Sequence, residues 1–186
     1  MLSCNSINEA RQTLSRADSL RAAGVLYSDS LSIAKAASLY NQFPNYYIYP
    51  FQYAKANYYY GRLLLERNDY IEAMSCFINA SHTDPQQPWL KRVGITRRSI
   101  SLAEYNLLGN IYCNIGTICH LAAEYQLSYD IFRTSARKFQ QANNTTAYYY
   151  ALNDMAIEAA KMCNKDETLE LTSQVDTTII DSYALG

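Results

Sequence analysis

The amino-acid sequence predicts an all-α protein built from paired, antiparallel helices. Apolar residues recur at three- and four-residue spacing from the first residues to about position 175, the signature of helices with one buried stripe. No stretch alternates apolar and polar residues as a half-buried strand would. With six glycines and four prolines in 186 residues and abundant Ala, Leu and Tyr, turn formers suffice only for short connections. Hydrophobic residues at 49% and charged residues at 18% place the chain among folded proteins rather than disordered ones.

The elements follow in order. Ile7, Ala10, Leu14, Ala17 and Leu20 form one stripe from Ser6 to Ala23, which Gly24 ends. A second helix, about Ser28 to Gln42, carries Leu31, Ile33, Ala34, Ala37 and Leu39. Phe43–Pro50 reads as a loop because its two prolines disfavour helix around them. The third helix runs from about Phe51 to Glu66, with Arg67–Asp69 as a turn. The fourth carries Tyr70, Ala73, Met74, Phe77 and Ala80 at helical spacing and stops before Pro85. The pattern weakens from Asp84 to Thr96. Longer helices then follow over about Ser99–Ala122, Glu124–Gln141 and Ala147–Met162, with a weaker one over Asp166–Val175.

Composition removes several classes of function. A net charge of −1 gives no global field for nucleic acid or an anionic membrane, and Lys91, Arg92, Arg97 and Arg98 read as a solvated basic stretch. The cysteines (4, 76, 113, 119 and 163) have no C-x-x-C spacing, and only two histidines are available to complete a metal site with them. Four of the five lie in apolar periodic segments, where packing explains them. No cofactor is expected, no catalytic motif is present, and an enzyme is not the expectation.

Residues Ala54–Gln87 carry a denser pattern. Tyr60, Gly61, Leu64, Tyr70, Ala73, Phe77, Ala80 and Pro85 stand at the positions that mark a tetratricopeptide repeat of 34 residues, with Asn57 in place of the usual aromatic at its fourth position. The segment resembles that family. A second unit, Gly109–Ala142, is similar through Tyr112, Ile115, Gly116, Cys119, Tyr125, Ser128 and Phe132, but has Ser135 for Ala and Gln140 for Pro. A third, degenerate unit begins near Tyr149, with Leu152, Met155, Ala156 and Ala159. The resemblance implies a right-handed superhelical stack of helix pairs. The expected divisions are a tail (1–5), a helical pair (6–45), a repeat unit (54–87), and an insertion (88–100). A unit with a long first helix (101–142), a degenerate unit (147–176) and a tail (177–186) complete them.

The resemblance also implies function: a non-enzymatic scaffold that takes a protein or peptide along its concave groove. Carried onto matching positions, the groove residues are Lys55, Tyr58, Arg62 and Leu65, then Asn110, Cys113, Thr117 and His120, then Tyr150 and Asn153. In the tyrosine triplet Tyr58–Tyr60, which sweeps about 200° of helix, Tyr60 is expected in the core, Tyr58 in the groove and Tyr59 between them. Direct nucleic-acid binding is not expected, and terminal helices offer a route to oligomers. Leu2-Ser3-Cys4 with a small polar tract resembles the end of a bacterial lipoprotein signal. That likeness implies a lipid tether on Cys4 and a place in the bacterial periplasm or cell envelope; an ordinary cytoplasmic N-terminus is the alternative. A further alternative is the sensory part of a larger bacterial membrane-associated transcription regulator.

Overall fold

In the computed structural model, residues 4–24, 29–86 and 99–175 are described, and among them every regular element is an α-helix. The expected insertion, the basic stretch and the last tail lie largely or wholly outside those residues. The chain divides into two compact units, Met1–Arg97 and Arg98–Gly186.

The first unit holds α1 (Cys4–Ala22), α2 (Ser30–Tyr40), α3 (Asn45–Ile48), α4 (Pro50–Glu66) and α5 (Tyr70–Ser81). Each long helix packs on its sequence neighbour, and α1 also packs on α4. Asp18 of α1 meets Lys55 and Tyr59 of α4, while Arg11 lies over Tyr49, so these two helices run in parallel. The segment expected to be a plain loop contains α3. Pro44 precedes that helix and Pro50 opens α4, where a missing N–H leaves no intrahelical bond unmade. Buried Asn45 ties the turn down by donating to the Leu39 carbonyl at 2.8 Å.

The second unit holds α6 (Leu102–Leu121), α7 (Tyr125–Gln141), α8 (Thr145–Lys161) and α9 (Lys165–Gln174), packed pairwise in sequence order. Ser101 and Glu104 close a reciprocal capping box at the start of α6. Alternate helices touch through their side chains at a constant offset. Asn144 donates to Asn106, His120 pairs with Glu158, and Tyr129 donates to Glu167, each joining residues 38 apart. Because the first two contacts sit near opposite ends of α6, that helix and α8 run parallel and in register for about 20 Å.

Four helix ends share one turn. Asn68, Ala123, Asn143 and Cys163 adopt positive φ, between 56° and 63°. The next residue's N–H reaches the carbonyl five positions back: Asp69 to Leu64, Glu124 to Cys119, Asn144 to Phe139 and Asn164 to Ala159. This doubly bonded ending satisfies the last carbonyls, and the residue that completes it becomes the N-cap of the following helix. The left-handed residue advances by twenty from 123 to 143 to 163, because α7 and α8 are each 17 residues long. Helix pairs in the second unit therefore repeat about every forty residues, longer than the 34 expected from the sequence.

Close approach inside each hairpin depends on glycine. A Cβ on Gly61 would stand 2.8 Å from the Phe77 ring, and one on Gly116 would stand 2.9 Å from Phe132. Both pairs are separated by sixteen residues, as the sequence pattern requires. Gly109 adds the same contact one heptad earlier, 2.6 Å from Phe139. Buried Ser128 donates to the Gly116 carbonyl at 2.9 Å and buried Ser135 to the Gly109 carbonyl at 2.8 Å. Ser135, an irregularity in the repeat pattern, is thus a hydrogen-bonded rung between α6 and α7. Asn57 has a similar explanation: only 1% exposed, it exchanges amide hydrogen bonds with Asn41, the C-cap of α2.

Candidate functional site

In the first unit the expected groove residues do not form an open cationic face. Lys55 is bound to Asp18 at 2.6 Å and lies over the Phe51 ring. Arg62 pairs with Glu66 at 3.5 Å on its own helix. Tyr58 is 1% exposed, packed edge-on to Tyr59 and near Phe77, with the Arg21 guanidinium over its ring. It is a core residue, which corrects its assignment to the groove. Tyr59 is buried too, and its hydroxyl donates to Asp18 at 2.7 Å; burial first, then that carboxylate, pushes its pKa up. Tyr60, expected in the core, is half-buried, as is Leu65. The physical reason is α1, which supplies Asp18 and Arg21 to the face of α4 that the sequence alone leaves open.

In the second unit the four expected residues of α6 share one side of that helix. Asn110, Cys113, Thr117 and His120 follow one another along α6 at three- and four-residue steps, and all are half-buried. Asn110 donates to the Asn106 carbonyl and Thr117 to that of Cys113. These local bonds hold the polar side chains along the helix. Cys113 also packs against the apolar cluster of α7 and α8. On α8, Asn153 is half-buried and Tyr150 is 37% exposed. The contacts at 106–144 and 120–158 place α6 and α8 side by side, so Asn110, Cys113, Thr117 and His120 line the α6–α8 surface with Tyr148, Met155 and Glu158, whereas Asn153 lies about 140–160° around α8 from Met155 and Glu158 and points away from α6.

A cluster of ionisable groups sits at the far end of that surface. His120 Nδ1 and Glu158 Oε1 are 2.7 Å apart, with the imidazole partly open and the glutamate 1% exposed. The other carboxylate oxygen, Glu158 Oε2, is buried and has no hydrogen-bond partner among the described residues. Asp154 lies one turn earlier on α8 and is half-buried. Burial first, and the Glu158 carboxylate second, push Asp154 up to about 6 from its ordinary 3.8, while His120 opposes the shift. Buried Cys119 feels Glu124 and Glu158 as well, after burial, and its thiol pKa is raised. The Tyr125 ring lies 6.0 Å from the imidazole. Two carboxylates thus face one imidazole in a partly dry setting.

Asp154 and Glu158 were not among the sequence-derived candidates. The available signal was Glu158 itself, which stands on the stripe of Ala151, Leu152, Met155 and Ala159, where a charge needs a partner. Lys138 gives the same signal on α7: it is 2% exposed, with its ammonium 5.9 Å from the Tyr105 ring. The side chain of Cys4 lies outside the described ones. Cys163, grouped with the packed cysteines from its sequence context, is instead an exposed turn residue. Among the described residues there is no cluster of His, Cys, Asp and Glu able to hold a metal ion. No helix there is long and apolar enough to cross a membrane. A cleft of about 740 Å³ opens between α1 and α2, lined by Glu9, Thr13, Arg16, Asp29, Ser32 and Lys35 among others. Compared with models of known families the chain matches none, and no curated protein matches its sequence.

Proposed function

We propose that the protein is a tetratricopeptide-like helical-repeat scaffold that binds an extended segment of a protein partner on the α6–α8 face of its second unit. The observation that carries this reading is the parallel register of α6 and α8, which lines up Asn110, Thr117 and His120 with Tyr148, Met155 and Glu158 and leaves Tyr150 exposed on the stripe of Asp154 and Glu158. Such a surface suits peptide recognition. Its amides and hydroxyls match a peptide backbone, and Tyr150 adds a rigid ring with little rotamer entropy to lose. The paired Gly–Phe contacts at sixteen-residue separation support the family reading, although the forty-residue step is longer than the family's. The first unit contributes scaffold rather than contacts, since Lys55 and Arg62 are engaged and Tyr58 is buried.

The test is selection of a displayed random-peptide library on the full chain. Selected peptides should lose at least about tenfold in affinity, equivalent to 1.4 kcal/mol, on a Thr117→Lys/Tyr150→Ala variant. They should bind an Arg137→Glu control, altered at an exposed position of α7, as they bind the wild type. Circular dichroism checks that both variants keep their helix content. Peptides that bind all three proteins equally would place recognition elsewhere.

A further inference from the structure

We propose that Asp154 and Glu158 form a receiving site for a cationic side chain, an arginine or lysine carried by the bound segment, with His120 as its gatepost. The inference rests on the peptide-binding reading and names the chemistry of the segment. An acidic pair alone would not define a site, because charges on helix surfaces are ordinarily solvated. Here one of the two is not solvated. Glu158 is 1% exposed, on a face otherwise built from alanine, leucine and methionine, and its Oε2 is buried without a partner. Buried carboxylate oxygens are rarely left unsatisfied, since the lost hydration is not recovered.

His120 accounts for only half of that carboxylate. Its Nδ1 takes Oε1 at 2.7 Å, and even when protonated it brings a single positive charge to two carboxylates. Asp154, four residues before Glu158, adds a like charge on the same side of α8, an unfavourable spacing for a helix by itself. The arrangement is therefore short of one cation and of hydrogen-bond donors. A guanidinium supplies both, with five N–H groups in a planar fork; an ammonium supplies three on a point charge. Half-buried Asp154 is where such a group would make first contact. The imidazole of His120 is partly open and holds Glu158 through Oε1, so a guanidinium reaching the carboxylate would pass beside it. Tyr125, with its ring 6.0 Å from the imidazole, offers an aromatic surface beside that path. The uncharged stretch of Asn110, Cys113 and Thr117 then takes the rest of the segment.

The experiment is an NMR titration of the full chain, observing the His120 imidazole and the Asp154 and Glu158 carboxylates. The probes are N-acetyl-arginine amide, its neutral isostere N-acetyl-citrulline amide, and calcium chloride. Saturable shifts with the arginine probe, at least about tenfold tighter than with citrulline, are expected. The response should disappear in Asp154→Asn and weaken in Glu158→Gln, and Asp166→Asn, at an exposed acid of α9, should leave it intact. If Glu158→Gln fails to fold, Asp154→Asn decides. Equal shifts with citrulline, an unchanged response in Asp154→Asn, or saturation by calcium in place of arginine would each overturn the proposal. Failure of the broader reading looks different: an intact arginine response without any selected peptide removes peptide binding alone. Selected peptides that keep their affinity when every basic residue is replaced remove the cation site alone.

Discussion

Replacing Gly109 with alanine should destabilise the second unit although alanine is the better helix former. Two carbons in van der Waals contact stand about 3.5–4.0 Å apart. A Cβ at position 109 would lie 2.6 Å from Cδ1 and Cε1 of Phe139 and 3.0 Å from its Cγ. The deficit is about 1 Å, and Phe139 is a core residue at 3% exposure with little room to swing away. Relief requires α6 and α7 to part, which also stretches the 2.8 Å hydrogen bond from Ser135 to the Gly109 carbonyl. Overpacking of this kind costs about 1–3 kcal/mol, and a weakened buried hydrogen bond adds about 1 kcal/mol. The helix-propensity gain offsets about 1 kcal/mol. A net loss of about 2 kcal/mol is expected for Gly109→Ala, with a smaller loss for Gly116→Ala, whose Cβ would stand 2.9 Å from Phe132. Urea denaturation followed by far-ultraviolet circular dichroism measures both. Trimming the ring with Phe139→Leu should rescue Gly109→Ala, giving a double-mutant coupling of at least about 1 kcal/mol. A Gly109→Ala protein stabilised by the full propensity gain, with no coupling to Phe139, would refute the close-approach argument.

Three further outcomes follow from the same geometry. Asp154 has a folded pKa of about 6 against 3.8, so the folded state holds its proton more tightly than the unfolded chain does. Its ionisation therefore costs stability above about pH 6, and that cost disappears as the pH falls towards about 4. Two pKa units correspond to at most about 3 kcal/mol, and partial exposure reduces this to about 1–2 kcal/mol. Asp154→Asn should raise the melting temperature at neutral pH and match the wild type near pH 4; equal pH profiles would contradict it. Ala123→Gly and Cys163→Gly should each stabilise by about 1 kcal/mol in urea denaturation, because both residues hold a left-handed conformation that costs a side-chain-bearing residue about 1–2 kcal/mol. Asp18→Ala should cost about 1–3 kcal/mol by the same assay, since it strips a charged partner from both Lys55 and the buried Tyr59 hydroxyl.

The helices were legible because burial imposes their period directly on the sequence, and the Gly–Phe pairs because close approach tolerates so few residue types. Where a face has neighbours on both sides, the period is not enough. Tyr58 and Tyr59 are both buried because α5 covers one flank of α4 and α1 the other. Asp18 does not announce that it will serve two residues on α4, since nothing local to α1 requires it. The turns were half legible. Asn68 and Asn143 belong to a residue type that tolerates positive φ, whereas Ala123 and Cys163 adopt it only because the helices on either side demand the same ending. His120 was found by its place on α6, but Asp154 and Glu158 were missed because charged residues are read as solvent-facing unless their position on the apolar stripe is weighed against their class. Ser135 departs from the repeat pattern because its hydroxyl bonds to the Gly109 carbonyl across the helix pair, a partner that no local spacing reveals.

Photo-crosslinking of a library-selected, arginine-bearing peptide, read by mass spectrometry, tests the central claim most directly. With the crosslinker beside the arginine, the account predicts adducts on α6 and α8 around His120, Asp154 and Ile157, lost in Asp154→Asn. Adducts along the α1–α2 cleft near Arg16 and Lys35, or adducts unchanged by Asp154→Asn, would contradict it.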